Sequence, residues 1–196
     1  MLTIKRLSGV DIKPYIADLA KLRITVFREF PYLYDGNLAY EKKYLKRYLN
    51  SEETVVVICF DNKAVVGAST GMPMQDEDIM VRKPFENSGF DVHDFFYFGE
   101  SILLKEYRGQ GIGSRFFTER EAHATQLGYN ITTFCAVDRP DDHPRRPPNY
   151  TPLDAFWKKR GYRKKPELKA TFNWQDLDEN TESPKSLTFW LKNHDS

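Results

Sequence analysis

Three glycines at alternating positions form the part of this sequence best suited to binding a ligand. Gly109, Gly111 and Gly113 lie between an apolar run that ends at Leu104 and a helical stretch. A backbone without Cβ atoms can turn tightly and approach a ligand closely. The first amides of a helix have no partner within the helix, and with the helix dipole they attract an anion such as a pyrophosphate. Arg108 adds a cationic donor beside them.

Two other interpretations of this loop stay open. One is a tight strand-to-helix turn that binds nothing. The other is the dinucleotide site of an NAD(P)-binding oxidoreductase, which has an acidic residue after the next strand, near where Asp138 lies. The spacing disfavours this second interpretation, because the glycines run Gly-x-Gly-x-Gly and then Ser114, and because the loop lies past the middle of the chain.

The pattern of periodicities predicts the elements that must position this loop. Alternating and continuous apolar runs predict strands, and spacings of three and four predict helices. The resulting order is β-α-α-β-β, an insert, and β-α-β-α-β-β, a mixed α/β layer fold. We expect a single domain over residues 1–196, with loop insertions at about 75–92 and 138–150. One long apolar strand is expected from Phe95 to Leu104, interrupted by Gly99 and Glu100. Thr151 and Pro152 predict the start of the late helix.

At several points the sequence resembles the GCN5-related N-acetyltransferase (GNAT) superfamily. The glycine loop fits that family's motif Gln/Arg-x-x-Gly-x-Gly/Ala. Residues 103–107 are similar to the strand that precedes this motif in the family, residues 22–27 to the family's first helix, and residues 155–162 to its late helix. The resemblance implies a mostly antiparallel central sheet flanked by helices, the acyl-CoA N-acyltransferase fold. It also implies acetyl-CoA as cosubstrate, without a metal.

The resemblance further implies how the cosubstrate is held. The pyrophosphate would lie on loop amides, and the pantetheine arm would follow the preceding strand, where the Leu103 amide would polarise the thioester carbonyl. The residues expected to bind it are Ile102, Leu103, Leu104, Arg108, Gly109, Gln110, Gly111, Ile112, Gly113 and Ser114.

Two further residues are candidates for catalysis by direct attack of an amine. Glu100 is a carboxylate within an apolar strand and is the candidate general base; the other interpretations are a solvated carboxylate or one paired with an arginine. The family often places a tyrosine acid where this sequence has Trp157, so Tyr150 is the candidate acid, ahead of His143.

Composition limits the remaining function classes. Twenty-nine basic and 28 acidic residues give a net charge of +1, which provides no electrostatic footprint for nucleic acid. No apolar run reaches the length of a membrane span. Cys59 and Cys135 lie in apolar runs and predict buried thiols. We therefore expect a cytoplasmic protein without a nucleic-acid or membrane partner.

The sequence predicts an N-acetyltransferase acting on an amine of a small molecule or a protein. The main alternative is a non-catalytic CoA-binding or sensing module on the same fold. Cues for the acceptor conflict. The aromatic loop 30–34 could form a wall of its pocket and the acidic residues 76–78 could attract a cation, whereas Arg139, Arg145 and Arg146 could hold an anion. The identity of the acceptor and a homodimeric state are both left open.

Overall fold

The computed structural model describes residues 1–195, and a mixed sheet forms its centre. The strands follow the order β1-β2-β3-β4-β6-β8-β7, and β5 pairs with β3 beside β4. The strands are β1 (Leu2–Leu7), β2 (Val55–Asp61), β3 (Ala64–Pro73), β4 (Phe95–Tyr97), β5 (Ser101–Leu103), β6 (Ile131–Val137), β7 (Arg163–Trp174) and β8 (Ser183–Asn193). The helices are α1 (Ile16–Phe27), α2 (Leu38–Leu45), α3 (Ile79–Asn87), α4 (Ile112–Gln126) and α5 (Asp154–Lys159).

The run of apolar residues in β2 shows why helices cover both faces of the sheet. Successive side chains of a strand point to opposite faces. Val56 and Ile58 pack in the cluster under α1 and α2, whereas Val55 and Val57 pack in the cluster under α4. Every apolar side chain of β2 is therefore buried, and both thiols, Cys59 and Cys135, are buried as the sequence predicts.

The long strand predicted from Phe95 to Leu104 is wrong as a single element, and the structure breaks it where Gly99 and Glu100 interrupt the apolar run. The chain forms two short strands, β4 and β5, separated at Phe98–Glu100. β4 pairs with β6 in parallel, while β5 pairs with β3 in antiparallel register. The chain stays paired with β3 on both sides of this break but loses β6 as a partner after Phe98, and the sheet opens between β5 and β6.

The start of the late helix is also predicted wrongly. The α5 helix begins at Asp154 and follows Leu153, with no side chain capping it. The Trp157 amide donates to the Leu153 carbonyl at 3.0 Å, so the helical hydrogen bonds begin after Thr151 and Pro152. Asp154 still lies in the first turn, where a carboxylate favours the helix dipole.

Part of the predicted insertion at 75–92 is helical. Asp78 caps α3 by accepting a hydrogen bond from the Met80 amide at 2.9 Å. The α3 helix packs Val81 and Phe85 into a third apolar cluster on the same face of the sheet as α1. The acidic segment 76–78 lies between the end of β3 and the start of this helix.

Candidate active site

The opening between β5 and β6 is lined by a backbone edge of β5. In an antiparallel pair, residues alternate between those bonded to the partner strand and those that face away. The Leu104 amide donates to the Val66 carbonyl at 3.0 Å, and the Thr70 amide donates to the Glu100 carbonyl at 3.0 Å. Leu103 lies between these positions in the register, so its amide and carbonyl face the opening.

This alternation divides the predicted pantetheine residues. Ile102 and Leu104 direct their backbone groups to β3, and the Ile102 side chain is buried under α1. Leu103 presents its backbone to the opening and remains the position where a thioester carbonyl could be polarised. Ser101 has the same orientation, since it lies two residues earlier in β5.

The glycine loop leads from this strand to the start of α4. Gly109 and Gly111 have φ angles of +78° and +80°, a left-handed conformation that favours glycine. A Cβ at either position would meet no heavy atom within 4 Å, so both face open space. The amide of Arg115 donates to Gly111 at 3.2 Å and starts the helical ladder. The loop therefore exposes backbone donors at the positive end of a 15-residue helix.

The sequence predicts Arg108 as a cationic donor beside the loop amides, but in the structure its side chain bonds other groups. Its guanidinium forms a bidentate ion pair with Glu29, at 2.8 and 3.2 Å, and donates to the Leu103 carbonyl at 3.0 Å. Its backbone amide donates to Lys105 at 3.2 Å within a short turn. Arg108 therefore connects the glycine loop to the end of α1.

A cavity of about 400 Å³ lies beside the first turn of α4. It is lined by Ser114 of α4 and by Phe156, Lys159 and Arg160 of the α5 segment. The basic cluster near the end of α5 therefore borders the same helix terminus as the glycine loop. The Arg160 guanidinium in this lining pairs with Glu121 of α4 at 2.9 Å.

Glu100 lies in a buried network of charges. Its carboxylate pairs with Arg23 of α1, whose guanidinium also pairs with Glu41 of α2. Glu41 in turn accepts a hydrogen bond from the Tyr34 hydroxyl at 2.8 Å. Burial opposes the charge of Arg23, but the carboxylates of Glu100 and Glu41 and the nearby Tyr44 raise its pKa well above the ordinary value. Arg23 therefore stays cationic and holds both carboxylates in place.

Arg120 of α4 approaches the same strand break from the opposite face. It is buried and donates to the carbonyls of Thr70 and Glu100, each at 3.2 Å, and to the Ser101 hydroxyl at 2.9 Å. Its guanidinium stacks on the Phe98 ring, with 4.2 Å from the central carbon to the ring centroid. Burial lowers the pKa of Arg120 to about 10. One cation thus binds the residues at which the strand leaves β6.

The arginines of the predicted insertion are paired. Arg139 donates two hydrogen bonds to Asp176, at 2.8 and 2.9 Å, and others to the carbonyls of Pro31 and Tyr32. Arg145 and Arg146 pair with Asp178 and Asp141 at 3.7 and 2.8 Å. The contacts of Arg139 connect the aromatic loop to the β7–β8 end of the sheet. All three arginines that could have held an anionic acceptor are therefore paired with carboxylates of the protein.

Residues 19–162 match the model of the acetyltransferase (GNAT) family, which covers most of the chain. The chain belongs to the GNAT acetyltransferase family. A comparison with curated protein sequences gave no match. The structure resembles the ribosomal-protein-alanine N-acetyltransferase from Brucella melitensis, with 14% identity, coverage of 97% of this chain and 99% of that one, and a TM-score of 0.62.

Two other solved structures share the fold. A GNAT-family acetyltransferase from Staphylococcus aureus Mu50 is 13% identical, with 99% of each chain covered and a TM-score of 0.63. The PaiA N-acetyltransferase from Thermoplasma acidophilum, solved in complex with coenzyme A, is 11% identical, with 98% of this chain and 99% of that chain covered and a TM-score of 0.59. The mixed, mostly antiparallel sheet flanked by helices is therefore the GNAT fold, as the resemblance implied.

Family membership makes the protein an acyltransferase of a fold that binds acyl-CoA. Within residues 1–195, no helix is long and apolar enough to span a bilayer. The same residues contain no cluster of His, Cys, Asp and Glu suited to a metal ion.

Tyr150 contacts the aromatic loop of this GNAT protein. Its ring packs edge-on against Phe30, with centroids 4.7 Å apart, and the Arg146 guanidinium lies 5.2 Å from its centroid. Burial raises the pKa of Tyr150, and Arg146 partly opposes that rise. Trp157 packs between Phe134 and Trp190, at 5.0 and 5.1 Å between centroids, so it contributes to the core.

Tyr32 is a site residue that the sequence analysis did not single out. Burial is the main cause that raises the pKa of Tyr32, and Cys135, Glu100 and Tyr150 raise it further. The Tyr32 hydroxyl therefore lies within electrostatic reach of both catalytic candidates, Glu100 and Tyr150. Arg23, Glu41 and Arg120 were also missed. The sequence could have indicated that two of them are buried. Arg23 and Arg120 lie four residues after Leu19 and Phe116, so each falls on the apolar face of its helix.

Proposed function

We propose that the protein transfers the acetyl group of acetyl-CoA to a primary amine by direct attack. The observation that carries this proposal is the opening between β5 and β6. There the outward-facing backbone of Leu103 lies between the glycine loop on one side and Glu100 on the other. An acyl carrier that follows β5 from the loop would bring its thioester to the carboxylate.

The exposed amides of the loop from Gly109 to Ser114 would hold the pyrophosphate. The cavity beside Lys159 and Arg160 would hold the nucleotide end. The pantetheine arm contains amide groups, which would form hydrogen bonds with the backbone edge of β5 that does not pair with β6. The open space at Gly109 and Gly111 is consistent with a large anion at this place.

The acceptor must be a free amine before it attacks. An alkylammonium has a pKa near 10, so it gives up a proton before its nitrogen can form a bond to the acetyl carbon. The second oxygen of Glu100, which does not bond Arg23, would accept this proton. The Leu103 amide would stabilise the tetrahedral oxyanion.

The intermediate collapses by breaking the carbon–sulfur bond, which leaves the CoA thiolate and a protonated amide nitrogen. Loss of that proton gives the neutral amide, and the thiolate takes up a proton. The Tyr150 hydroxyl would supply it, since burial keeps its pKa above the usual value of a tyrosine and so keeps it protonated at neutral pH.

Two measurements test the proposal. Calorimetry with CoA and acetyl-CoA would show binding, and a thiol-release assay over a panel of primary amines would show turnover. We expect both. Binding without turnover on any amine would favour the non-catalytic sensing module, and absence of CoA binding would overturn the proposal and that alternative together.

A further inference from the structure

Arg139 is a buried cation that the proposed chemistry does not use. It follows β6, at the start of the predicted insertion, and its side chain is 9% exposed. Its partner Asp176 lies in the turn between β7 and β8 and is 6% exposed. Because a buried ion pair adds little stability over apolar residues of the same size, stability alone does not account for this pair.

The guanidinium of Arg139 is almost fully occupied by the protein. A guanidinium carries five N–H donors. Two of them bond the Asp176 carboxylate, at 2.8 and 2.9 Å. Two more bond backbone carbonyls of the aromatic loop, those of Pro31 at 2.7 Å and Tyr32 at 2.8 Å. Arg139 therefore holds this loop, and it has little capacity left for an anionic acceptor.

The aromatic loop is attached to the β7–β8 turn in two different ways. In its later part, the Leu33 carbonyl and the Asp35 amide bond the backbone of the turn, at 2.8 and 3.0 Å. In its earlier part, the carbonyls of Pro31 and Tyr32 accept from side chains instead, and Arg139 bonds both. Loss of the Arg139 side chain would therefore loosen the earlier part and leave the loop attached.

Phe30 connects this earlier part of the loop to the proposed acid. Its ring packs edge-on against Tyr150, with centroids 4.7 Å apart, and lies 5.7 Å from the ring of His143. Tyr150 belongs to no helix or strand. Its position therefore depends on side-chain neighbours such as Phe30, whose own backbone adjoins the Pro31 carbonyl that Arg139 holds.

Tyr32 connects the same part of the loop to the proposed base. Its ring packs on that of Phe27, with centroids 4.7 Å apart. The Arg23 guanidinium lies 5.1 Å from the Phe27 centroid and pairs with Glu100. A shift of residues 31–32 would therefore reach both proposed catalytic groups through side chains in contact.

We propose that Arg139 is a positioning residue for the acceptor side of the site. By holding the carbonyls of Pro31 and Tyr32, it fixes the rings of Phe30 and Tyr32 beside the two catalytic groups, and Asp176 orients its guanidinium. Misplacement of such groups by about 1 Å lowers the rate of a reaction substantially. This inference rests on the proposed acetylation of amines and assigns a role in it to a residue that acts through its neighbours.

The experiment compares Arg139→Met with Arg145→Met. Arg145 lies in the same insertion, but it is exposed and pairs with Asp178 at 3.7 Å, so it is the matched control for the loss of an arginine. Steady-state kinetics would be measured with acetyl-CoA and the amine that the wild type acetylates fastest. Calorimetry with CoA would report the donor side of the site, and thermal unfolding would show that each variant is folded.

Arg139→Met should fold, because the groups it leaves keep other contacts. Asp176 still accepts from the Trp174 indole at 2.9 Å and lies 3.6 Å from the Lys185 ammonium. The Tyr32 carbonyl also accepts from that indole, at 3.1 Å. Arg139→Lys is a second, milder variant, since its single ammonium nitrogen keeps the charge and can bond only part of these acceptors.

We expect Arg139→Met to lower kcat/KM for the amine by about tenfold or more, with the Kd for CoA unchanged. Arg139→Lys should restore part of this loss, and Arg145→Met should match the wild type. A role confined to stability would lower the unfolding temperature without this difference between amine and CoA.

Normal kcat/KM for the amine in folded Arg139→Met would overturn the inference and leave the proposed function standing. Equal losses of CoA affinity and of kcat/KM would also overturn it, since Arg139 would then support the whole site. No turnover of any amine by the wild type would overturn the proposed function, and with it the role of Arg139 in that reaction.

Discussion

The Arg108 guanidinium faces the Glu29 carboxylate as a bidentate ion pair, with both side chains about two-fifths exposed. This pair holds a cation beside the glycine loop but neutralises it. Replacing Glu29 with glutamine should therefore free the charge of Arg108 for the pyrophosphate. We expect CoA to bind about two- to fivefold more tightly at low ionic strength, with the gain lost at high salt as the charge is screened.

Calorimetric titrations of Glu29→Gln at two salt concentrations would measure this effect. Arg108→Gln is the control and should bind no more tightly than the wild type. Neither change should alter the free energy of unfolding by more than about 1 kcal/mol, because an exposed ion pair contributes little. Weaker CoA binding in Glu29→Gln would mean that the pair itself shapes the loop.

Glu100 and Glu41 pair with the same arginine, but only Glu100 lies at the sheet opening. If Glu100 is the base, Glu100→Gln should lower kcat/KM by about 100-fold. Its remaining rate should rise with pH as the free amine increases, about tenfold per unit, until the amine pKa near 10.

Glu41→Gln is the matched control for that experiment. It removes one partner of a buried ion pair and should lower the free energy of unfolding by about 3–5 kcal/mol. Its kcat/KM at a temperature where it is folded should stay close to that of the wild type. Equal losses of activity in the two variants would show that Glu100 acts only by holding Arg23.

Tyr150→Phe tests the proposed acid. Burial raises the pKa of this tyrosine, so its hydroxyl should hold a proton across the neutral range and lose it only above the usual pH for a tyrosine. We expect kcat to fall by about tenfold or more, with KM for acetyl-CoA unchanged. Tyr32→Phe is the control, and its kcat should fall less than that of Tyr150→Phe in steady-state kinetics. A larger fall in Tyr32→Phe would assign the acid to Tyr32.

The order of elements was predictable because each depends on local signals. The strand β6, from Ile131 to Val137, is an apolar run of strand length. The helix after the glycine loop is similarly well marked, and Gly128 ends it with a φ of +89°. These signals depend on backbone sterics and on burial, which the sequence carries directly.

The strand pairing on the two sides of the break at Phe98–Glu100 was not predictable in the same way. An apolar run specifies burial but not which neighbours a strand pairs with, and here the chain keeps β3 as a neighbour but loses β6 within ten residues. The pairing of Glu100 with Arg23 also depends on how α1 crosses the sheet. The sequence showed a carboxylate in an apolar strand and left its partner open, and the structure supplies that partner.

Gly111→Ala should separate backbone strain from ligand contact. A residue with a side chain is strained at a φ of +80°, which should lower the free energy of unfolding by about 1–2 kcal/mol. Gly89→Ala is matched to it, since Gly89 has a φ of +79° and equally open surroundings far from the loop. Both should lose similar stability in denaturant unfolding.

Only Gly111→Ala should also weaken CoA binding, by about tenfold or more, because its methyl group would occupy the space that a phosphate needs. Calorimetry with CoA checks this difference. Similar CoA affinity in the two variants would show that no ligand approaches the loop at this position.

Arg120 offers a test of how the sheet opening is held. Its carbonyl partners already accept backbone hydrogen bonds, from Gly99 to Thr70 at 3.1 Å and from Thr70 to Glu100 at 3.0 Å. Arg120→Met would therefore leave neither carbonyl unpaired, and it would remove a buried cation whose pKa burial lowers to about 10. The change in the free energy of unfolding should stay within about 1 kcal/mol.

Activity should nevertheless fall, by about tenfold in kcat, because Arg120 fixes the Glu100 carbonyl and the Ser101 hydroxyl just ahead of the Leu103 amide. Arg120→Lys keeps a charge but replaces the two guanidinium nitrogens that bond these acceptors with a single ammonium nitrogen, and it should give an intermediate kcat. Chemical unfolding and steady-state kinetics measure the two effects separately. A variant that unfolds more easily but turns over normally when folded would make Arg120 a packing residue, since the opening would then keep its shape without the guanidinium.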